Sequence, residues 1–297
     1  MIAGAKVQCM SKSPKSSYRG RIAPTPSGYL HLGHARTFSL AHRRAREAGG
    51  TLVLRIEDID SARCRDEYLS QAYSDLKKCG LDWDEGPDIG GPYAPYLQSR
   101  RTDYYWSLME KLIEQGQVYP CNASRAEIRS RCNKSEAENE DYIFPEELRP
   151  VRWQIPSNPQ SSNWRFAVAG KDAVVFEDDM CGNQALLPGK DFGDFLVWRK
   201  SGEPSYDLAV VADDIAMKIT HVVRGEDLIT ATARHILLYR AFGEEPPRYT
   251  HCPLLKNPDG TKISKSVIGG ECSNPLLIKN ACEKSVAEIA KKPAIHP

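Results

Sequence analysis

Two short segments carry residue types that suit the phosphates of a nucleotide. In the first, His31, Gly33 and His34 stand where a predicted strand and turn lead into a predicted helix. The unpaired N–H groups and the partial positive charge of a helix N-terminus favour an anion there. The two histidines share one helix face, and glycine leaves room for a ligand to approach the backbone closely. Exposed helix-capping histidines would explain the same residues equally well.

The second segment is residues 262–266, with the sequence KISKS, in a polar stretch that follows a proline and a glycine. Lys262 and Lys265 could reach a polyphosphate and neutralise the charge that develops on pyrophosphate when the α-phosphate of ATP is attacked. One such contact is worth on the order of 4 kcal/mol at about 4 Å and an effective dielectric constant of ~20. Taken alone, the pentapeptide is better explained as a solvated basic loop.

The elements around the first segment predict parallel strands. A strand is predicted over 19–23, a turn over 24–28, a helix over 32–48 and a second strand over 51–57. This order is that of a βαβ unit, whose ligands bind at the carboxyl ends of the strands. The histidine segment therefore lies where a ligand is expected.

Further elements complete an α/β fold. The hydrophobic pattern predicts helices over 66–79, 100–115, 228–242 and 274–291, and strands over 194–198, 206–211 and 217–223. We expect a Rossmann-like parallel-sheet domain with an inserted small subdomain and a short helical C-terminal segment. The predicted divisions are a disordered lead-in over 1–18, the halves of the main domain over 19–118 and 192–256, the insert over 119–191, and a loop with a final helix over 257–297.

The composition is that of a soluble globular protein. Of 297 residues, 41% are hydrophobic and 27% are charged, and no apolar run approaches the roughly 20 residues that span a bilayer, so no membrane partner is expected. The formal net charge is +1, so a nucleic acid would have to bind a local patch. Nine cysteines without a C-x-x-C pair favour a reducing, cytoplasmic location.

The two phosphate-binding segments resemble the HIGH and KMSKS motifs of class I aminoacyl-tRNA synthetases. Four more segments extend the resemblance to the glutamyl-tRNA synthetase group, over about residues 19 to 268: residues 21–28 (RIAPTPSG), 54–60 (LRIEDID), 80–87 (GLDWDEGP) and 221–227 (HVVRGED). The resemblance implies a Rossmann-like catalytic domain that uses ATP, Mg²⁺ and L-glutamate, with a tRNA as the partner.

The same resemblance implies a role for each matching residue. Residues implied to act on the ATP phosphates are His31, His34, Lys262 and Lys265, with Gly33 and Ser264 also in contact with ATP. Residues implied to bind glutamate are Arg21 and Arg224 at its carboxylates, Glu57 at its ammonium group, Tyr206 as a wall with a hydroxyl donor, and Thr25 in place of the usual serine. The structural alternatives are ion pairs of Arg55 with Glu57 and of Arg224 with Glu226.

One departure from the group concerns the acceptor. Only 31 residues follow Ser266, so we expect no helical anticodon-binding domain. This shortened form resembles the members that attach glutamate to the queuosine base in the anticodon loop of tRNA(Asp), and we expect a monomer. The alternatives are a catalytic domain that charges the tRNA 3′ end, and a non-catalytic relative that kept the fold.

Another departure concerns zinc. The subfamily pattern C-x-C followed by Y-x-x-x-C is reduced here to Cys121 and Tyr142, with Ala123 and Glu146 at the other two positions. One thiolate and one tyrosine do not make a tight tetrahedral zinc site, so zinc is not expected, although Cys132 is close in sequence.

A candidate RNA patch consists of arginines on the first helix and after the second strand. These are Arg43, Arg44, Arg46, Arg63 and Arg65. Solvated helix faces explain them equally well.

Overall fold

The computed structural model describes residues 18–132 and 143–254. The helices are α1 (Leu32–Glu47), α2 (Asp66–Lys78), α3 (Thr102–Glu114), α4 (Arg125–Arg131), α5 (Tyr206–Ala216) and α6 (Ile229–Phe242). The strands are β1 (Arg19–Ile22), β2 (Thr51–Leu54), β3 (Val118–Pro120), β4 (Trp164–Phe166), β5 (Val174–Asp178), β6 (Gly182–Leu186), β7 (Phe195–Arg199), β8 (Glu203–Pro204), β9 (His221–Gly225) and β10 (Arg248–Cys252).

The predicted βαβ unit at the start of the described chain is confirmed. Strands β1 and β2 pair in parallel, with Arg19 opposite Thr51 and Ile22 opposite Leu54. Helix α1 joins them and buries Phe38, Ala41 and other apolar residues of one face in a core shared with both strands. Apolar residues at helical spacing thus fix α1 on the sheet and set the position of its N-terminus.

A second group of parallel strands adjoins the first. Strands β9 and β10 are parallel, β5 is parallel to β10, and β6 is an antiparallel edge strand. Strand β1 lies beside β9, since the Thr220 N–H donates to the Arg19 carbonyl at 2.9 Å and Arg21 contacts Val223. The carboxyl ends of β1, β2, β9 and β10 therefore meet at one edge.

The strands between residues 118 and 204 are divided between two sheets. Strands β3, β4, β7 and β8 form an antiparallel sheet, whereas β5 and β6 leave this region to join β10. The buried core of the antiparallel sheet continues into helices α3, α5 and α6. The division of the chain into domains at 118 and 191 stays a prediction.

The strand predicted over 206–211 was wrong, because this segment belongs to helix α5. The Ser205 side chain accepts a hydrogen bond from the Leu208 N–H at 3.2 Å and caps the helix. Residues 207–214 are all buried, so neither the alternation of a strand nor a helical stripe is visible in the sequence. The strand predicted from 217 begins at His221, after a turn in which Lys218 has φ of 54°.

Helix α6 confirms the helix predicted over 228–242. It ends at Gly243, whose φ of 71° lies in the left-handed region that glycine adopts readily. Among the described residues, no helix has both the length and the apolar character to cross a membrane. Predictions for residues 1–17, for Tyr142 and for the loop and helix over 257–297 lie outside the described residues.

Candidate active site

A cavity of about 580 Å³ opens at the edge where the parallel strands end. Every described residue that was predicted to bind ATP or glutamate lines it, namely Arg21, Thr25, His31, Gly33, His34, Glu57, Tyr206 and Arg224. The ends of β1, β2 and β9 and the first turns of α1 and α5 supply these residues. The two arginines, Glu57 and the histidines thus line one cleft, as the sequence predicts, and their individual roles stay predictions. Lys262, Ser264 and Lys265 lie outside the described residues.

The N-terminus of α1 is capped by the two histidines themselves. His31 Nδ1 accepts from the Gly33 N–H at 3.1 Å, and His34 Nδ1 accepts from the His31 N–H at 3.4 Å. The two rings stack with their centroids 3.8 Å apart. Helix capping and ligand contact are thus compatible, because capping uses Nδ1 of each ring while both residues line the cavity.

Gly33 permits this arrangement by leaving out a side chain. A Cβ atom at residue 33 would lie 2.9 Å from Cε1 of His31 and 3.0 Å from its Nδ1. These distances are too short for an unstrained contact, so another residue at this position would displace the capping ring. The present position of the His31 ring therefore depends on glycine at residue 33.

Arg21 is a buried cation in the lining of the cavity. Its side chain is 5% exposed, and Nη1 donates to the Val223 carbonyl at 2.9 Å. Its Nε lies 4.0 Å from Oδ1 of Asp214 and has no hydrogen-bond partner within the described structure. Burial is the main cause that lowers the pKa of Arg21. A carboxylate ligand beside the guanidinium group would offset this desolvation.

Glu57 belongs to a buried network of charges. Arg55 is fully buried and donates from Nη1 to Asp214 at 2.6 Å and from Nη2 to Glu57 at 3.2 Å. The ion pair of Arg55 with Glu57 is therefore present, but Arg55 is also shared with Asp213, 3.7 Å from its Nε. Burial is the main cause that raises the pKa of Glu57. Glu57 also lines the cavity, so its ion pair with Arg55 does not remove it from the cleft, and its role toward a substrate stays a prediction.

Arg224 is held by neutral hydrogen-bonding groups. Its Nε donates to Nε2 of His251 at 3.2 Å, Nη1 to Nδ1 of His235 at 3.2 Å, and Nη2 to Oγ1 of Thr232 at 2.6 Å. In the described part of the chain no carboxylate forms an ion pair with Arg224. The alternative pair with Glu226 is absent there, since Oε1 of Glu226 accepts from the Leu254 N–H at 2.9 Å.

The sequence did not point to Arg36, His235 or His251 as site residues. Arg36 lines the cavity and donates from Nη1 to the Pro253 carbonyl at 3.1 Å, which joins α1 to the end of β10. The signal available for His235 was a histidine inside the apolar run of α6, a position that requires buried hydrogen-bond partners. Those partners come from distant segments, so the sequence alone could not name them.

The candidate RNA patch consists largely of ion-paired arginines. Four of the five pair with acids at 2.5–2.8 Å: Arg43 with Glu47, Arg44 with Asp179, Arg46 with Asp84 and Arg63 with Asp60. The guanidinium group of Arg65 lies 5.9 Å from the centre of the Tyr68 ring. Intramolecular pairing thus accounts for most of this charge, and an RNA would have to compete with the paired acids.

The degenerate zinc positions are only partly described. Cys121 is buried and packs with Tyr119, Ile128 and Phe144, and Tyr142 lies outside the described residues. Within residues 18–132 and 143–254, no group of three or more histidine, cysteine or acidic side chains could hold a metal ion. The expectation about zinc stays a prediction.

Known proteins are similar to this chain in sequence. The sequence profile of the family described as class I tRNA synthetases (E and Q), catalytic domain, matches residues 17–268. The chain is 46% identical to the glutamyl-Q tRNA(Asp) synthetase of Symbiobacterium thermophilum and 43% identical to that of Nitratidesulfovibrio vulgaris. Each of these alignments covers 83% of this chain and 77% of the relative.

A solved glutamate-tRNA synthetase from Elizabethkingia anophelis has a similar fold. The TM-score is 0.71 at 31% sequence identity, over 84% of this chain and 53% of the solved one. The chain thus spans about half the length of that synthetase.

Proposed function

Since this chain belongs to the class I tRNA synthetase family for glutamate and glutamine, we propose that it activates L-glutamate with ATP and transfers it to a tRNA. The observation that carries the proposal is the single cavity that joins the capped N-terminus of α1 to Arg21, Glu57 and Arg224. Phosphate-binding and amino-acid-binding groups within one cleft are what adenylate formation requires. The expected setting is a monomer in the cytoplasm.

The buried charges at the cavity favour an amino acid with two carboxylates. In the described lining, the buried charged side chains are three arginines and one acid: Arg21, Arg36, Arg224 and Glu57. We assign Arg21 and Arg224 to the substrate carboxylates and Glu57 to the ammonium group. The side-chain amide of glutamine carries no charge, so it would leave a buried guanidinium group without a carboxylate partner. The free-energy cost of that unpaired cation can exclude glutamine without any editing step. Tyr206, 36% exposed, and Thr25 would complete the walls.

ATP would lie along the first turn of α1. Its phosphates would meet the helix N-terminus, His31 and His34, while Gly33 lets the backbone approach the ligand. Lys262, Ser264 and Lys265 are proposed from the sequence to reach the phosphates from the other side. Mg²⁺ would accompany ATP, because it is commonly held by substrate phosphates together with few protein ligands.

The reaction requires no nucleophile from the protein. An oxygen of the substrate α-carboxylate attacks the α-phosphorus of ATP, the bond to the bridging oxygen breaks, and pyrophosphate leaves with the charge. A hydroxyl oxygen of the tRNA then attacks the carbonyl carbon of glutamyl-adenylate and releases its proton to solvent, while the bond from that carbon to the phosphate oxygen breaks and AMP leaves. The protein contributes by holding the two reactants in line and by neutralising the pyrophosphate.

For the acceptor we propose the queuosine base of tRNA(Asp). The two relatives named glutamyl-Q tRNA(Asp) synthetase, at 46% and 43% identity over 77% of their length, support this choice. The second candidate is the 3′ end of a tRNA, because the fold is also that of a glutamate-tRNA synthetase. A non-catalytic relative is disfavoured, since the cavity keeps each predicted residue that the structure describes.

A matched set of three tRNA(Asp) samples would separate these acceptors. We expect labelled glutamate to be attached to queuosine-containing tRNA whether its 3′-terminal ribose is intact or dideoxy, and not to a queuosine-free transcript. The reason is that only the base would carry the reacting hydroxyl. Acid-precipitable label after incubation with ATP is the measurement. Labelling of the queuosine-free transcript, with loss on the dideoxy tRNA, would instead establish the 3′ end as the acceptor.

Glu57 predicts a pH dependence of glutamate binding. Because burial raises its pKa above the ordinary value, Glu57 should gain a proton at a higher pH than an exposed glutamate as the pH falls. A neutral carboxyl cannot neutralise the substrate ammonium, so KM for glutamate should rise as the pH falls through this pKa. The KM in ATP–pyrophosphate exchange is measured against pH. Glu57→Gln should raise KM and remove its dependence on pH in this range; a variant that keeps the wild-type profile would contradict the assignment.

A further inference from the structure

The guanidinium group of Arg224 lies between two imidazoles, each of which is fixed by a buried aspartate. Oδ1 of Asp207 lies 3.0 Å from Nε2 of His235, and Oδ2 of Asp178 lies 2.6 Å from Nδ1 of His251. The other nitrogen of each ring contacts Arg224 at 3.2 Å. All of these residues are less than 10% exposed.

These contacts define the tautomer of His235. An arginine has only donors, so Nδ1 of His235 must accept from Nη1 of Arg224. A neutral imidazole that accepts at Nδ1 carries its proton on Nε2, and this N–H donates to Asp207. Burial, followed by the charge of Arg224, lowers the pKa of His235 to about 4. The ring is therefore neutral near pH 7, as the geometry requires.

We propose that Asp207 and His235 are positioning residues that set the affinity for the amino acid by aiming Arg224. Arginine has five N–H donors, and the described contacts use one on each nitrogen. One N–H on Nη1 and one on Nη2 remain after these contacts, and we assign them to the two oxygens of a carboxylate. The inference rests on the proposed function, because it takes that carboxylate to belong to glutamate.

Asp207 offers a sharper test than Asp178. Asp178 also accepts the backbone N–H groups of Met180, Cys181 and His251, so its replacement would disturb the turn after β5. Asp207 accepts only side-chain donors in the described structure, from His235 and from Nε of Arg234 at 3.1 Å. An isosteric replacement there changes the proton positions and leaves the backbone as it is.

The replacement Asp207→Asn should reverse the tautomer of His235. The amide oxygen is expected to keep facing the cationic Arg234, so the amide NH₂ would donate to Nε2 of His235. The imidazole proton would then move to Nδ1 and point at Nη1 of Arg224. Since both groups would be donors, the hydrogen bond that holds Arg224 would be lost. Aspartate-to-asparagine changes beside a histidine act by this route in serine proteases.

The first measurement is ATP–pyrophosphate exchange. We expect Asp207→Asn to raise KM for glutamate by about tenfold or more, with kcat and KM for ATP changed by less than about twofold. Arg234→Gln is the matched control, because it removes the other partner of Asp207 while the histidine contact stays; its KM for glutamate should be that of the wild type. A KM for Asp207→Asn within about twofold of the wild type would overturn the inference.

The second measurement does not depend on activity. In ¹⁵N-labelled wild-type protein, the His235 ring should show a protonated Nε2 and an unprotonated Nδ1, with the signals assigned by their loss in His235→Gln. In Asp207→Asn, Nδ1 should be the protonated nitrogen and Nε2 the unprotonated one. A wild-type spectrum with the proton on Nδ1 would overturn the inference whether or not the variant folds. Absence of glutamate-dependent exchange in the wild type would instead count against the proposed function.

Discussion

Replacing Arg224 by methionine is expected to lower kcat/KM for glutamate in ATP–pyrophosphate exchange by about three powers of ten, or about 4 kcal/mol. The side chain is 4% exposed and its described partners are neutral, so the cation has no other carboxylate to bind among the described residues. A substrate carboxylate would therefore make a strong, desolvated, charge-assisted contact, and methionine would leave that carboxylate buried and unpaired.

The control for this variant is the same replacement at Arg248. That side chain is 62% exposed and pairs with Asp179 at 3.1 Å, away from the residues that line the cavity. Arg248→Met should leave kcat/KM unchanged, and nucleotide binding should survive in both variants. If Arg224→Met kept kcat/KM within about tenfold of the wild type, Arg224 would not read a carboxylate of the substrate.

Replacing Lys265 by alanine is expected to slow adenylate formation by about two to three powers of ten. This residue lies outside the described residues, and the prediction comes from the sequence, in which Lys262 and Lys265 are three positions apart. The attraction between an ammonium group and the leaving pyrophosphate grows as negative charge develops in the transition state. Loss of the ammonium group therefore raises the activation barrier more than it weakens ground-state binding. Single-turnover formation of glutamyl-adenylate is the appropriate measurement.

Lys284→Ala provides a comparison, because it removes the same charge from the same end of the chain outside the KISKS segment. Its rate should equal that of the wild type. The glutamate KM of Lys265→Ala should change little, since the proposed contact is to phosphate. An unchanged rate in Lys265→Ala, or an equal loss in Lys284→Ala, would show that the segment does not act on the leaving group.

The sequence predicted those parts of the site that depend on local pattern. The order of strand, glycine-containing turn and helix was enough to place His31 and His34 at the edge where the strands end and the cavity opens, and Arg224 lies near the end of β9, in a segment whose motif had marked it. Such predictions succeed because a strand end and a helix start are determined within a few residues of sequence.

What the sequence could not predict depends on long-range partners. The sequence around Val210 predicts a strand, because burial on every side hides any helical period, and only the tertiary core makes this segment a helix. Arg224 was expected either to read a carboxylate or to pair with Glu226, yet its contacts come from His235 and His251. Likewise, the local sequence of α1 does not indicate that acidic residues elsewhere in the fold pair with its arginines.

The last residue of β5 connects two regions that are distant in sequence. Asp178 ends a strand that is hydrogen-bonded to β6 on one side and β10 on the other, and it grips the imidazole of His251 at 2.6 Å. That ring contacts Arg224 at 3.2 Å. A displacement of the β5–β6 hairpin would thus reach Arg224 in the cavity lining through two hydrogen bonds between side chains.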